Sequence, residues 1–251
     1  MTNHKVLSSG DIKYFVKTRS FQELCQALQS LKGKKGRFLH VLGSPGTGKS
    51  ANIYNALARL DLDVYDAFLF IDHDSTPDEV YKTFWSTIEK DMGVETKKDV
   101  YKKAGEYDLV LFADPFLDSE YIDENKVGLG LWTEENGPST APFYFRVLRE
   151  YLVHRKYLKD LNIVTQTAWV LKYRGIRYDI LTDFSVFSQI LVFLLKIFFD
   201  VVQISYTKEE TMEIIKNHPL AVTDEEIKMY IEKYGCRPRF IFEALERNQK
   251  S

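Results

Sequence analysis

Eight consecutive residues, Gly43-Ser44-Pro45-Gly46-Thr47-Gly48-Lys49-Ser50, constrain this chain more than any other stretch. They fit G-x-x-x-x-G-K-[ST] at every position. Glycines at these places let the backbone curl with its N–H groups pointing inward around a phosphate. Lys49 brings a positive charge toward the β- and γ-phosphates of a nucleotide, and the Ser50 hydroxyl can bind Mg2+. The pattern has this meaning only between a strand and a helix whose positive dipole end meets the anion. Both flanks agree: Arg37–Leu42 (RFLHVL) reads as a short buried strand, and residues 49–60 read as a helix. The eight loop residues are therefore the candidate nucleotide-binding set, and a Gly-rich turn without function is the competing reading.

Four further apolar runs read as strands: Asp66–Ile71 (DAFLFI), Tyr107–Ala113 (YDLVLFA), Asn162–Ala168 (NIVTQTA) and Asp200–Ser205 (DVVQIS). Helical patterns separate them. Residues 20–31 place Phe21, Leu24, Leu28 and Leu31 on one face, with Ser20 as the expected N-cap. Residues 77–92 carry Val80, Phe84 and Ile88 on one face, opened by Thr76, Pro77 and Glu79 as a capping box. Residues 142–161 are helical in pattern, whereas 115–140 is Gly-, Pro- and acid-rich and reads as a long loop. Strands that are continuously apolar and alternate with helices indicate a parallel sheet covered on both faces. The expected fold is α/β: a five-stranded parallel P-loop sheet covered by helices over residues 1–206, then a small helical lid over 207–251. At 251 residues, with 45% hydrophobic and 14% aromatic side chains, the chain has material for such a core and lacks the composition of a disordered one.

A phosphate loop of this kind needs a carboxylate from the end of another strand to help hold Mg2+. Asp114 follows the run Leu109–Ala113, and Asp72 follows Phe68–Ile71. Where a strand is inserted between the loop strand and the Mg2+ strand, the later carboxylate takes the metal. Asp114 is therefore the preferred candidate and Asp72 the alternative, the other being an ordinary strand-terminal Asp. Pro115 follows Asp114.

The order of these features resembles the AAA+ family and related small archaeal-type ATPases over roughly residues 15–247. Thr18–Leu24 looks like the short box that precedes the phosphate loop there and helps hold adenine. Gly43–Ser50 matches Walker A, and Asp114 matches the Walker B Asp. Thr165, Gln166 and Thr167 end the fourth strand where the family keeps a sensor-1 polar residue, with Thr165 the candidate. Gly235-Cys236-Arg237-Pro238-Arg239 looks like a sensor-2 turn, in which Arg239 would contact the γ-phosphate from the lid; a surface Arg after Pro238 at a helix start is the plainer reading. The resemblance implies ATP and Mg2+ as cofactors and Lys49, Asp114, Thr165 and Arg239 as catalytic residues, with Ser50 and Asp114 on the metal. The chain departs from the family at Pro115, where a Glu would polarise water, which implies slow turnover. No arginine finger stands out among Arg146, Arg149, Arg174 and Arg177, so a ring oligomer does not follow.

The charge balance, 34 Lys+Arg against 36 Asp+Glu, gives no global field for nucleic acid or an anionic membrane. A local patch exists at 146–159 (RVLREYLVHRKYLK), where basic residues alternate with tyrosines; this suits nucleic acid, but equally a solvated face whose Val147, Leu148, Leu152 and Leu158 are buried. The five histidines and two cysteines show no ligand spacing, so no metal beyond Mg2+ is expected. Val186–Phe199 is strongly apolar, yet it carries Gln189 and Lys196 and is shorter than the roughly 18 residues a membrane span needs. A buried helix is expected there, and no membrane partner. The N-terminus has no apolar signal region, so a cytoplasmic, reducing compartment is the expectation. Three functions compete. The first is an AAA+ ATPase acting on a macromolecular partner, possible nucleic acid or protein. The second is a P-loop kinase using Asp72 or Asp74 on an acceptor hydroxyl, against which the acidic, Arg-free 115–140 segment counts. The third is an ATP-binding switch that hardly hydrolyses.

Overall fold

Strand β1 (Phe38–Leu42) is paired on both sides, to β5 (Ile163–Thr167) and β8 (Asp200–Gln203), and its alternate side chains go to opposite faces. The computed structural model describes residues 13–66, 76–112, 130–133, 141–174, 176–220 and 222–249. Asp72, Asp74 and Asp114 lie outside the described residues, as do Pro115 and most of the acidic segment.

The main sheet is parallel throughout and runs β2-β3-β5-β1-β8, with β2 (Val64–Asp66) at one edge and β3 (Leu109–Phe112) next to it. The expected α/β class and five-stranded parallel sheet are what the chain forms. Of the second strand, the described part is Val64–Asp66, so the strand begins two residues before the expected Asp66.

One face of the sheet packs Leu39, Val41, Leu109, Leu111, Val164 and Val202 against helices α1 (Arg19–Gln29) and α2 (Lys49–Leu57). The other packs Tyr65, Val110 and Ile163 against α3 (Pro77–Met92), α4 (Lys97–Ala104) and the end of α5 (Ala141–Leu158). Burial on both faces explains why the strands read as unbroken apolar runs.

The helix starts follow local chemistry. Thr76 and Glu79 form the capping box of α3. At α1, however, the N-cap is Thr18, whose hydroxyl accepts from the Phe21 N–H, and not Ser20. The buried Ser20 instead donates to the Ser205 carbonyl at 2.6 Å, fastening α1 to the chain leaving β8.

Two further expectations changed. The stretch after the fourth strand, for which no element was expected, forms the antiparallel pair β6 (Val170–Tyr173) and β7 (Ile176–Asp179), which with β4 (Gly130–Thr133) make a second, three-stranded sheet. Tyr173 pairs with Ile176, and Arg174, the residue after Tyr173, takes a left-handed φ of 51°. The Val186–Phe199 helix, α6 (Ser185–Phe198), is not buried: its core side rests on Leu42 and Leu181 through Leu191, Val192 and Leu195, while its other large apolar side chains face outward. Leu152 of α5 is likewise exposed. Among the described residues no helix is long and apolar enough to cross a membrane.

After β8, helices α7 (Lys208–Lys216), α8 (Asp224–Tyr234) and α9 (Pro238–Gln249) close on their own core of Ile215, Ile227, Ile231 and Ile241. Thr207 with Glu210 and Thr223 with Glu226 form the capping boxes of the first two.

In the sheet, His40 lies between Phe38 and Phe199, with ring centroids 4.6 and 4.8 Å away, and its Nδ1 is 2.7 Å from the Thr167 hydroxyl. Burial lowers its pKa from 6.5 to about 4. The folded value lies below the unfolded one, so as pH falls the unfolded chain takes the proton first. Stability is therefore full above 6.5 and lost as pH drops from 6.5 toward 4. We expect His40 to cost about 2 kcal/mol between pH 7 and pH 5. Urea unfolding at both pH values checks this, since His40→Gln should reduce the difference by about that amount.

Candidate functional site

The loop leaves β1 at Leu42, and Gly48, in the left-handed region at φ 73°, caps α2 without offering a side chain to the first-turn N–H groups. Two glycines show why the pattern is strict. A Cβ on Gly43 would stand 2.9 Å from the Ile204 carbonyl oxygen, and Gly46, at φ 86°, would put one 3.2 Å from the Phe240 ring of α9. Thr47 braces the curve, its hydroxyl donating to the Ser44 carbonyl at 2.8 Å. Lys49 Nζ donates to the Gly43 carbonyl at 2.7 Å, across the mouth of the loop. Asn52, buried one turn along α2, donates to the Gly48 carbonyl at 2.9 Å and to the Tyr206 hydroxyl at 2.7 Å.

From β5, Gln166 reaches this loop. Its Nε2 donates to the Ser50 hydroxyl at 2.8 Å. Thr165, one residue earlier, points to the opposite face by the strand's alternation, and its hydroxyl donates to the Gln166 carbonyl at 3.2 Å. Thr167 meets His40. Of the three polar residues ending this strand, Gln166 is the one brought to the phosphate loop.

A cluster that sequence reasoning missed sits on the other side of the loop, between the β6–β7 hairpin and α6. Asp179 is fully buried; it accepts from the Trp169 and Leu181 N–H groups at 3.0 Å and from the Thr182 hydroxyl at 3.2 Å. Burial pushes its pKa up, against those N–H donors and the Lys49 ammonium, which pull it down. Asp183 is the hub. Its Oδ1 accepts from the Ser44 hydroxyl at 2.5 Å and its Oδ2 from the Asp179 N–H at 2.8 Å. The same Oδ2 takes the Arg237 guanidinium at 2.8 Å, from the turn that leads into α9. The signal for these residues was faint, because acidic residues in a turn (Tyr178-Asp179-Ile180-Leu181-Thr182-Asp183) usually serve as local caps.

The C-terminal helices therefore touch the loop directly. The Arg239 N–H donates to the Gly46 carbonyl at 3.1 Å, and Phe240 covers Gly46. The Arg239 guanidinium bonds Glu243 of its own helix at 3.2 Å. Arg237, which carried no role in the sequence reading, is the arginine that bridges to the core. Tyr14 and Arg19 also straddle the two parts: the Tyr14 carbonyl accepts from Asn217, and the Arg19 N–H donates to Glu210. Among the described residues no cluster of His, Cys, Asp or Glu could hold a metal on its own.

A five-stranded parallel sheet in the order β2-β3-β5-β1-β8, with a Gly-rich loop between β1 and a helix, defines a P-loop NTPase fold. No protein-family model and no curated protein sequence matches the chain. Solved structures similar to it are AAA+ and P-loop ATPases. AMPPCP-bound DnaA of Aquifex aeolicus is 17% identical over 97% of this chain and 62% of its own, with a TM-score of 0.43. A Walker-type ATPase of Pyrococcus abyssi is 14% identical over 90% and 65%, at 0.43. Drosophila ORC bound to DNA is 13% identical over 98% and 63%, at 0.42. The chain thus spans less than two thirds of the length of these structures, and its class rests on its own strand order and loop.

Removing the hub should separate the two halves energetically. Asp183→Ala removes one acceptor from each of Ser44, Arg237 and the Asp179 N–H, and we expect a loss of about 3 kcal/mol. A double-mutant cycle with Arg237→Ala, read by urea unfolding, should give a coupling of about 1–3 kcal/mol.

Proposed function

We propose that this chain is an ATP-binding P-loop NTPase of AAA+ type, which hydrolyses ATP slowly to drive or regulate a macromolecular partner. The observation that carries the reading is the contact of the C-terminal helices with the phosphate loop itself, through Arg239 and Phe240 on Gly46 and through Arg237 on the carboxylate that binds Ser44. A nucleotide that rearranges the loop must then act on those helices, which is what a lid-coupled ATPase requires.

The residues fit a Mg·ATP ligand. The glycine cradle, the uncapped first turn of α2 and Lys49 are donors for the triphosphate. Ser50 and Asp114 are the proposed Mg2+ ligands. β5 lies between β1 and β3 in the sheet, the inserted-strand arrangement that favours Asp114 over Asp72. Mg2+, when bound, neutralises charge on the phosphate oxygens. Gln166, already on the Ser50 hydroxyl, takes the polar strand-end role first given to Thr165. In the lid, Arg237 holds the loop through Asp183, and Arg239 remains a candidate for the γ-phosphate once freed from Glu243. Residues 1–206 then act as the core and 207–251 as the lid, in a cytoplasmic protein.

The partner is nucleic acid or protein. The basic face of α5 keeps Arg149, Arg155 and Lys156 exposed, but Tyr157 packs in the core and Tyr151 against Phe38 and Phe199. Backbone charge contact therefore fits that helix better than base stacking.

Phosphate release from Mg·ATP, alone and with single- or double-stranded DNA or RNA, tests the proposal. Lys49→Ala should lower nucleotide affinity by at least about 100-fold, and Gln166→Ala should slow turnover by roughly 100-fold with affinity nearly kept. Tight ATP binding without release in the wild-type chain would favour the switch reading.

A further inference from the structure

The α6 helix presents a surface that the nucleotide site does not explain. Val186, Ile190, Phe193 and Ile197 follow one another at spacings of four, three and four residues, and Phe187 and Leu194 flank them on the same side. All six are exposed, Val186 and Phe193 at 65%, and Phe198 extends the stripe at 77%. The opposite side of the helix is already used, with Ser188 and Val192 buried on the core. Four-three-four spacing is the seam of a helix that packs lengthwise on another helix.

Area and charge say what would cover it. Taking about 150–250 Å2 for a whole aromatic side chain, the stripe exposes on the order of 700–800 Å2 of apolar surface. That exceeds the roughly 300–600 Å2 of the largest patch on a typical monomer. It is close to the ~800 Å2 that each partner gives to a standard interface. Lys196 is the one ionisable side chain in the helix, and Arg37 beside its C-terminal end is paired with Asp200, so α6 itself offers neither the run of basic residues that suits an anionic lipid surface nor charges that would select a charged partner. A surface that is uncharged and complementary to its own kind fits a second copy of itself.

We infer that two copies of this chain pair through α6, antiparallel and about a two-fold axis near residues 191–192. In this arrangement Val186 meets the partner's Ile197 and Ile190 meets the partner's Phe193, so each layer joins unequal side chains that interdigitate. Lys196 falls near the partner's Gln189 and away from the partner's Lys196. Because the contact is isologous, it closes at two copies and does not propagate into a ring. The phosphate loop and the C-terminal helices stay outside it, so this pairing stands whether or not the proposed ATPase activity does.

Light scattering on the eluting 251-residue chain, at tens of micromolar, should give twice the 29.3 kDa protomer mass. Ile190→Glu and Phe193→Glu should each give the protomer mass and still unfold cooperatively, since both positions are exposed in the protomer, with a melting temperature that no longer rises with protein concentration as the wild type's does. A mixture of Val186→Cys and Ile197→Cys proteins should cross-link to each other far more than either does to itself, since each of these positions lies about 16 Å along the helix axis from its own copy. A wild-type protomer mass throughout, or a dimer that both Glu variants leave intact, would overturn the pairing. Self-cross-linking of each Cys variant would overturn its antiparallel sense.

Discussion

The structure depends on β1 being buried on both faces and paired on both edges, because the phosphate loop is the direct continuation of its C-terminal end. Pairing with β5 in the register Val41 to Gln166 brings the Gln166 amide beside the loop. Pairing with β8 brings the Ile204 carbonyl against Gly43 and delivers the chain to the C-terminal helices. Arg37 and Asp200, bonded to each other at the start of these two strands, fix the same register at the opposite end. Moving β1 by one residue would invert its faces and pull both the Gln166 and the Ile204 contacts away from the loop.

The electrostatics of the site follow from that placement. Asp179 and Asp183 lie in a shielded corner beside Ser44, and their negative charge is met by N–H donors, hydroxyls and two cations, Lys49 and Arg237. Lys49 belongs to the loop and Arg237 to the turn before α9, so both parts of the chain place a cation on this pair of carboxylates. The acidic cluster is thereby a joint between the two parts as well as a support for the hairpin.

Much of this was legible in the sequence because local rules agreed with the global fold. The loop pattern needs a strand before it and a helix after it, and the apolar runs and the Thr76–Glu79 box fixed further elements. Other features depended on tertiary context. Ser20 and Thr18 are both good caps, and only the contact with Ser205 decides between them. Thr165, Gln166 and Thr167 are all polar, and the pleat alone selects Gln166 for the loop. The hairpin of β6 and β7 carries no Asn-Gly or Asp-Gly signal between its strands, and Asp179 and Asp183 are of a type that usually serves as a local cap. The apolar run at 186–198 read as core because hydrophobicity reports that a surface must be covered, not by what. Here half of the helix is covered by its own chain, and the other half is left for a partner.

The account stands or falls on whether nucleotide at the loop is felt by the C-terminal helices. Hydrogen exchange on the 251-residue chain with and without Mg2+ and a non-hydrolysable ATP analogue measures this most directly. We predict slowed exchange over 43–50, and a change at Arg239 and Phe240, whose N–H groups lie at the junction with the loop. Slowed exchange over 43–50 with 235–241 unaltered would contradict the coupling, and unaltered exchange over both segments would contradict nucleotide binding itself.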